Sequence, residues 1–392
     1  MSAARATLAG LAATLVGVGL ARFAYTPLLP ALIGAGWFPP ASAAYLGAAN
    51  LAGYLAGALL ARTLAARCGA VPMLRVSMAF ATAAFFACAT PWSFAWYFVW
   101  RLGAGIAGGV LMVLAAPTVL PHVPAARRGL AGGVIFTGVG LGIAASGTAV
   151  PALLHEGLVA TWCGLGAIAA VLTLVSWNGW PRDSAPAAPP ASVDRGAAPS
   201  SRRLRALYAS YALNAFGLVP HMVFLVDFVA RGLGRGLAAG GRYWVVFGIG
   251  AMLGPILAGA LADQVGFGRA IRLAFLLQAL AVGVLVVSVA SGWLVVSSLV
   301  IGAFVPGMVP LTLGRVYELV PGDGLARTTA WSRATASFAL GQAVAGYGLS
   351  FVYARTGDYA LLFALGAVAL ALALAIDLAG NTTAAAKHGR RS

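Results

Sequence analysis

"WRLGAGIAGG", residues 100–109, sets Gly103, Gly105 and Gly108 in the order G-x-G-x-x-G. In a dinucleotide-binding domain that pattern follows a strand, opens a helix, and is answered by an acidic residue about 20 positions on. Here "FFACATPWSFAWYFVW" runs into the glycines without a turn, and no Asp or Glu occurs between Met1 and His155. The ribose-binding carboxylate is missing, and the cofactor-loop reading fails. Arg101 instead has twenty-five uncharged residues on each side, and a spanning helix needs about 20 apolar residues. Gly105 and Gly109 then form a small-xxx-small pair, which lets helices approach closely in lipid. Gly53/Gly57, Gly138/Gly142 and Gly250/Gly254 repeat the spacing.

The whole composition agrees. The 392 residues are 61% hydrophobic and 9% charged, with a mean hydropathy of +0.92; soluble domains carry about a quarter charged residues. The first uncharged run, 6–21, continues into more apolar sequence with no polar cleavage region, so it reads as a membrane helix and not a cleaved signal. Cys68, Cys88 and Cys163 stand alone in apolar surroundings and suggest neither disulfides nor zinc. Nothing implies a cofactor. The net charge of +16 lies in short loops and not in a folded polar domain, so it reads as topology and not as nucleic-acid binding.

Twelve apolar segments follow: 6–33, 41–61, 71–90, 93–120, 129–154, 158–180, 205–230, 240–262, 269–290, 293–320, 328–353 and 358–380. Between the sixth and seventh lies "PRDSAPAAPPASVDRGAAPSSRRLR", Pro/Ala/Ser-rich and without hydrophobic periodicity, which reads as a flexible linker. The expected organisation is a six-helix bundle over 1–180, a cytoplasmic linker over 181–204, and a second bundle with a short basic tail over 205–392. With both termini cytoplasmic, the inner loops and tails hold eighteen Lys and Arg, and the outer loops hold only Arg231, Arg235, Arg242 and Arg355. That asymmetry fixes the expected orientation.

The halves also echo each other. Phe23 and Pro27 meet Phe216 and Pro220 at an offset of 193; Gly69 and Arg75 meet Gly266 and Arg272 at 197; Gly103, Gly108, Arg128, Gly142 and Gly147 meet Gly302, Gly307, Arg327, Gly341 and Gly346 at 199. A register that drifts slowly over the whole length indicates two parallel repeats, because six helices return each half to the same side.

"GALADQVGFGR", 259–269, resembles the G-x-L-A-D-x-x-G-x-x-R loop of the major facilitator superfamily, with Gly259, Asp263, Gly266 and Arg269 in the matching positions. The first-half copy, "RTLAARCG" at 62–69, has Arg62 and Ala66 where the motif has Gly and Asp. "RLGAGIAGG" is similar to the superfamily's fourth-helix R-x-x-x-G motif, and "GVGLGIAASG" to its fifth-helix motif without the Gly-Pro pair. "GLARFAYTPLLP", "VPHMVFLVDFVARGLG" and "FALGQAVAGYG" resemble the YbfB/YjiJ-type branch. The resemblance implies an all-α membrane protein of twelve spans in the bacterial inner membrane, with the first, fourth, seventh and tenth helices around a central cavity.

The candidate site residues are polar groups stranded in those helices. Arg22 has sixteen uncharged residues before it and thirty-nine after. A lone Arg at membrane depth costs a few kcal/mol, so it faces protein or water. Tyr25 and Thr26 share its face at i+3 and i+4. No carboxylate lies within the first five helices for Arg22 or Arg101. The remaining partners are a second-half carboxylate, backbone carbonyls, or a bound anion. Asp227 is the one second-half carboxylate placed toward the outer side of the bilayer, and it competes for an i,i+4 pair with Arg231. Asn214 and His221 are seven apart and share a face, and Pro220 is expected to break the helix between them; the resemblance sets them opposite Arg22 and Tyr25. Gln342 reads as an inter-helix hydrogen bonder or a cavity residue. Asp263, Arg269, Arg315, Glu318, Arg327 and Arg333 read as a cytoplasmic charge cluster able to open and close as a gate, or as a solvated loop cluster.

The expected function is secondary transport of a small solute, an organic anion on the strength of Arg22 and Arg101, by a monomer. Proton coupling falls to His221, Asp227 or Glu318. Efflux of amphipathic or cationic compounds is the alternative within transport, and a sensor that binds without translocating is another. A membrane enzyme finds no support: the four histidines, His122, His155, His221 and His388, are scattered, and neither a metal-ligand spacing nor an ATP-binding loop occurs. The charge asymmetry predicts that a fluorescent protein fused after Ser392 is bright while alkaline phosphatase fused there is inactive; the reverse result would invert the topology.

Overall fold

In lipid every backbone N–H and C=O must be satisfied within the protein, which restricts a spanning chain to helices or closed barrels. The computed structural model describes residues 2–124, 127–181, 202–321 and 324–388, and it takes the helical solution, with no strand among the described residues. The helices are α1 (Ala3–Gly34), α2 (Pro40–Cys68), α3 (Ala70–Ala87), α4 (Phe94–His122), α5 (Arg128–Leu153), α6 (Leu158–Ser176), α7 (Arg202–Gly232), α8 (Leu237–Val265), α9 (Phe267–Val287), α10 (Ser291–Leu319), α11 (Gly324–Thr356) and α12 (Tyr359–His388). Eleven of the described helices are long and apolar enough to cross a membrane. The exception is α11, where Ser337, Gly341, Gln342, Gly346, Gly348 and Ser350 dilute even the most apolar stretch. The expected linker lies almost wholly outside the described residues, and Arg202 already begins α7.

Helix ends follow the local chemistry. Pro40 starts α2 at the position where a missing N–H costs nothing, and the Ser93 side chain caps α4 by accepting from the Trp96 N–H. Gly69 and Gly266, at φ 85° and 81°, turn the chain from α2 into α3 and from α8 into α9. Only glycine takes that conformation readily. The two arginines matched by the repeat do matching work. Arg75 on α3 donates to the Trp177 carbonyl at 2.9 Å beyond α6, and Arg272 on α9 pairs with Asp377 on α12 at 2.7 Å.

The opening stretch is resolved by its neighbours. A Cβ on Gly105 would stand 2.2 Å from the Asn50 carbonyl oxygen of α2, and one on Gly109 would stand 2.4 Å from that of Tyr54. Gly103 faces the Phe80 ring of α3, and Gly108 faces the Gly17 carbonyl of α1. The glycines therefore let one helix meet three others. Gly53 and Gly57 answer from α2 against Leu102 and Ile106, and Gly250 and Gly254 repeat the seam between α8 and α10. Between the halves, α5 packs on α8 and α2 on α11, with Gly140 at Met252, Gly248 at Ala144 and Gly346 at Leu51.

Gly254→Val, whose first added carbon would fall 1.9 Å from the Ala303 carbonyl oxygen, is expected to cost about 3 kcal/mol and lower the unfolding temperature in detergent. Gly259→Ala, with nothing within 4 Å, should leave that temperature unchanged or slightly raised.

Candidate substrate site

Pro27 has no N–H to offer the Phe23 carbonyl, which accepts instead from the Thr26 N–H at 3.2 Å. Gly17 and Gly19 weaken the helix just before it. The chain runs as a π-helix over Leu15–Leu20, turns through residues 21–24, and resumes as α-helix at Tyr25. Non-helical backbone at membrane depth survives only inside protein or along a cavity, and all of 21–24 is buried. Arg22 sits in this break. Pro220 does the same to α7 more mildly: the helix is not broken there but widens into a π-helix over Pro220–Phe224, with another over Phe228–Gly232.

The Arg22 side chain crosses to the other half. Its Nη2 donates to Gln342 Oε1 on α11 at 3.0 Å, and its guanidinium lies 4.9 Å from the Tyr54 ring centre and 5.1 Å from that of Phe23. Arg101 comes toward the same break from α4. Its Nη1 donates to the Ala21 carbonyl at 2.6 Å, and its guanidinium stacks 4.3 Å from the Tyr25 ring centre. The Tyr25 hydroxyl is anchored on the Ala43 carbonyl at 2.8 Å. Thr26 donates across the halves to the Met222 carbonyl at 2.5 Å. Asn50 on α2 donates to the Arg101 carbonyl at 3.1 Å. Arg22, Thr26, Asn50, Arg101, Met222 and Val223 line a small cavity at this level, with room for about one water. The Nε atoms of both arginines and Oδ1 of Asn50 are buried without a partner.

Three ion pairs occur among the described residues, and neither arginine is in one. Arg22, Tyr25, Thr26, Arg101 and Gln342 are thus brought together. Asn214 and His221 are not. They share a face, but that face looks into the second half: Asn214 Nδ2 donates to Gln278 Oε1 on α9 at 2.8 Å, and His221 Nε2 meets Ser297 Oγ on α10 at 2.7 Å with its edge on Phe363. The seven-residue spacing fixes a shared direction and leaves its azimuth open.

Asp227 is fully buried and takes the local alternative. Arg231 grips it through Nε at 2.5 Å and Nη2 at 2.7 Å, and Tyr359 donates to it at 2.5 Å with Tyr353 alongside. This network ties α7, α11 and α12 together. At the other end the charge cluster is only partly joined. Arg315 pairs with Glu318 at 2.6 Å, Glu318 also accepts from the Phe267 N–H at 3.3 Å, and Arg327 donates to the Val320 carbonyl at 2.8 Å. Asp263, Arg269 and Arg333 form no ion pair among the described residues. Asn50, Tyr54, Met222 and the Arg272–Asp377 pair escaped the sequence reading. A lone amide in the thirty-nine uncharged residues after Arg22 was the available signal for Asn50.

Stacked apolar helices, with buried cations converging on a cavity between their two sets, define a multi-pass membrane transporter. A family model described as "Uncharacterised MFS-type transporter YbfB" matches residues 14–378, and the chain belongs to that family of the major facilitator superfamily. Comparison with curated proteins finds no match.

Asp227→Ala removes the common acceptor of Arg231 and Tyr359, and an expected cost of about 2–3 kcal/mol should appear in thermal unfolding. Tyr359→Phe should cost about 1 kcal/mol. Equal stability of all three proteins would show the network to be idle.

Proposed function

We propose that the protein is a secondary active transporter that carries a small organic anion across the bacterial inner membrane. Two six-helix bundles, 1–180 and 205–392, rock about the cavity at Arg22, with α11 as the twelfth span and both termini in the cytoplasm. The observation that carries the reading is the pair of buried guanidinium groups on one cavity with no carboxylate on either. A buried charge without a counter-charge is costly, and carbonyls, an amide and ring faces offset only part of that cost. An arriving anion supplies the rest. It would replace the Arg22–Gln342 and Thr26–Met222 bonds that now join the halves, and a ligand that binds one arrangement better than another shifts the balance between them.

The matching packing of α2 on α4 and α8 on α10, and of α5 on α8 and α11 on α2, supports the two-bundle organisation. Cation efflux fits less well, because guanidinium groups already occupy the Tyr25 and Tyr54 faces. For coupling, Asp227 and Glu318 are held in ion pairs, whereas His221 keeps a bare nitrogen. Ser297 donates to the Ala281 carbonyl at 2.5 Å, so it can only accept from His221 Nε2–H, and Nδ1 is left as the lone pair without a partner. His221 is the proton carrier this reading favours. The cytoplasmic charges from Asp263 to Arg333 serve as the gate.

In proteoliposome counterflow with a carboxylate that the wild type carries, Arg22→Gln and Arg22→Lys are expected to lower the rate at least about tenfold. Wild-type rates in correctly inserted variants would refute the anion site, and carboxylate binding without counterflow would identify a sensor. His221→Gln should retain downhill exchange and lose uphill movement on a pH gradient.

A further inference from the structure

The cavity holds one polar atom that an anion does not satisfy. Asn50 donates its amide N–H to the Arg101 carbonyl, and a carbonyl can only accept. The orientation of the amide is therefore fixed, and the atom left over is Oδ1, an acceptor that is buried and unpaired. Asn50 itself is 1% exposed. The two remaining bare atoms on the same cavity, Nε of Arg22 and of Arg101, are donors. The ligand that answers all three brings an anionic acceptor group for the guanidiniums and one hydrogen-bond donor for Asn50.

That donor must be uncharged. An ammonium placed on Asn50 would add a third positive charge beside two guanidinium groups that share one ligand carboxylate and have no protein carboxylate, and like charges in a desolvated site repel strongly. The wall contributed by α7 is different again. Met222 and Val223, with Leu51 from α2, close the cavity with apolar groups, which leave a second carboxylate nowhere to be solvated.

Resting on the organic-anion reading above, we propose that the substrate is an apolar monocarboxylate bearing a hydroxyl next to the carboxylate, a 2-hydroxy acid. The carboxylate sits on Arg22 and Arg101, the hydroxyl donates to Asn50 Oδ1, and the apolar tail lies against Met222 and Val223. Asn50 is then a specificity residue that separates hydroxy acids from their deoxy analogues.

Binding to the purified full chain, by calorimetry at constant pH, tests this with matched pairs of rising tail size: lactate with propionate, 2-hydroxy-4-methylpentanoate with 4-methylpentanoate, and 3-phenyllactate with 3-phenylpropionate. Malate and leucine report on the second carboxylate and the ammonium. The hydroxy acid is expected to bind about five- to tenfold more tightly than its partner in the pair whose tail fits, the worth of one buried hydrogen bond. Malate and leucine should bind more weakly than either. Asn50→Leu should bring the members of that pair to equal affinity while carboxylate binding persists. Equal affinities within every pair of the wild-type protein, or malate or leucine as the tightest ligand, would overturn the 2-hydroxy acid assignment and leave the anion site standing. Binding by none of the carboxylates would overturn both.

Discussion

A positive charge surrounded by oil and protein must be neutralised, solvated by dipoles, or moved. This chain uses the first solution twice in its second half, where Arg231 holds Asp227 and Arg272 holds Asp377. It uses the second at the centre. Arg22 and Arg101 rest on an amide oxygen, a backbone carbonyl and ring faces. Each contact is worth a fraction of an ion pair, and each can be exchanged without leaving a carboxylate exposed. Paired charges lock helices to one another; dipole-held charges can change partners.

The break in α1 makes the central arrangement possible. A straight helix would bury the carbonyls of residues 21–24 in its own hydrogen bonds. Pro27 and the π-helix before it let the Ala21 carbonyl receive Arg101, and they turn Arg22 toward α11. Around that break the packing is built from backbone contacts. Glycines on α2, α4, α8 and α10 place carbonyl oxygens where a side chain would otherwise stand. Such seams are rigid within each set of helices, whereas the contacts joining α1 to α7 and α11 consist of few, replaceable hydrogen bonds.

Much of this was legible in the amino-acid order. Charge-free runs gave the helices, and the absence of any acid before Glu156 gave the unpaired arginines. The drifting repeat also matched Gly69 with Gly266 and Arg75 with Arg272, pairs that turn out to occupy equivalent turns and helix contacts, although their partners Trp177 and Asp377 were not foreseen. What escaped was azimuth. Periodicity tells which residues share a face, but not which way that face points, and Asn214 and His221 turn to Gln278 and Ser297 of their own half. Asn50 escaped because a neutral amide in an apolar run announces no charge. The expected segment 328–353 falls on α11, whose glycines, serines and Gln342 keep its hydropathy below that of the other eleven helices.

The seat of α11 limits what can stand beside Gln342. A carbon added to Gly341 would fall 2.2 Å from the Ala212 carbonyl oxygen of α7, and one added to Gly346 would fall 2.8 Å from the Leu51 side chain of α2. Any larger residue at either place forces α11 outward, and the amide that holds Arg22 travels with it.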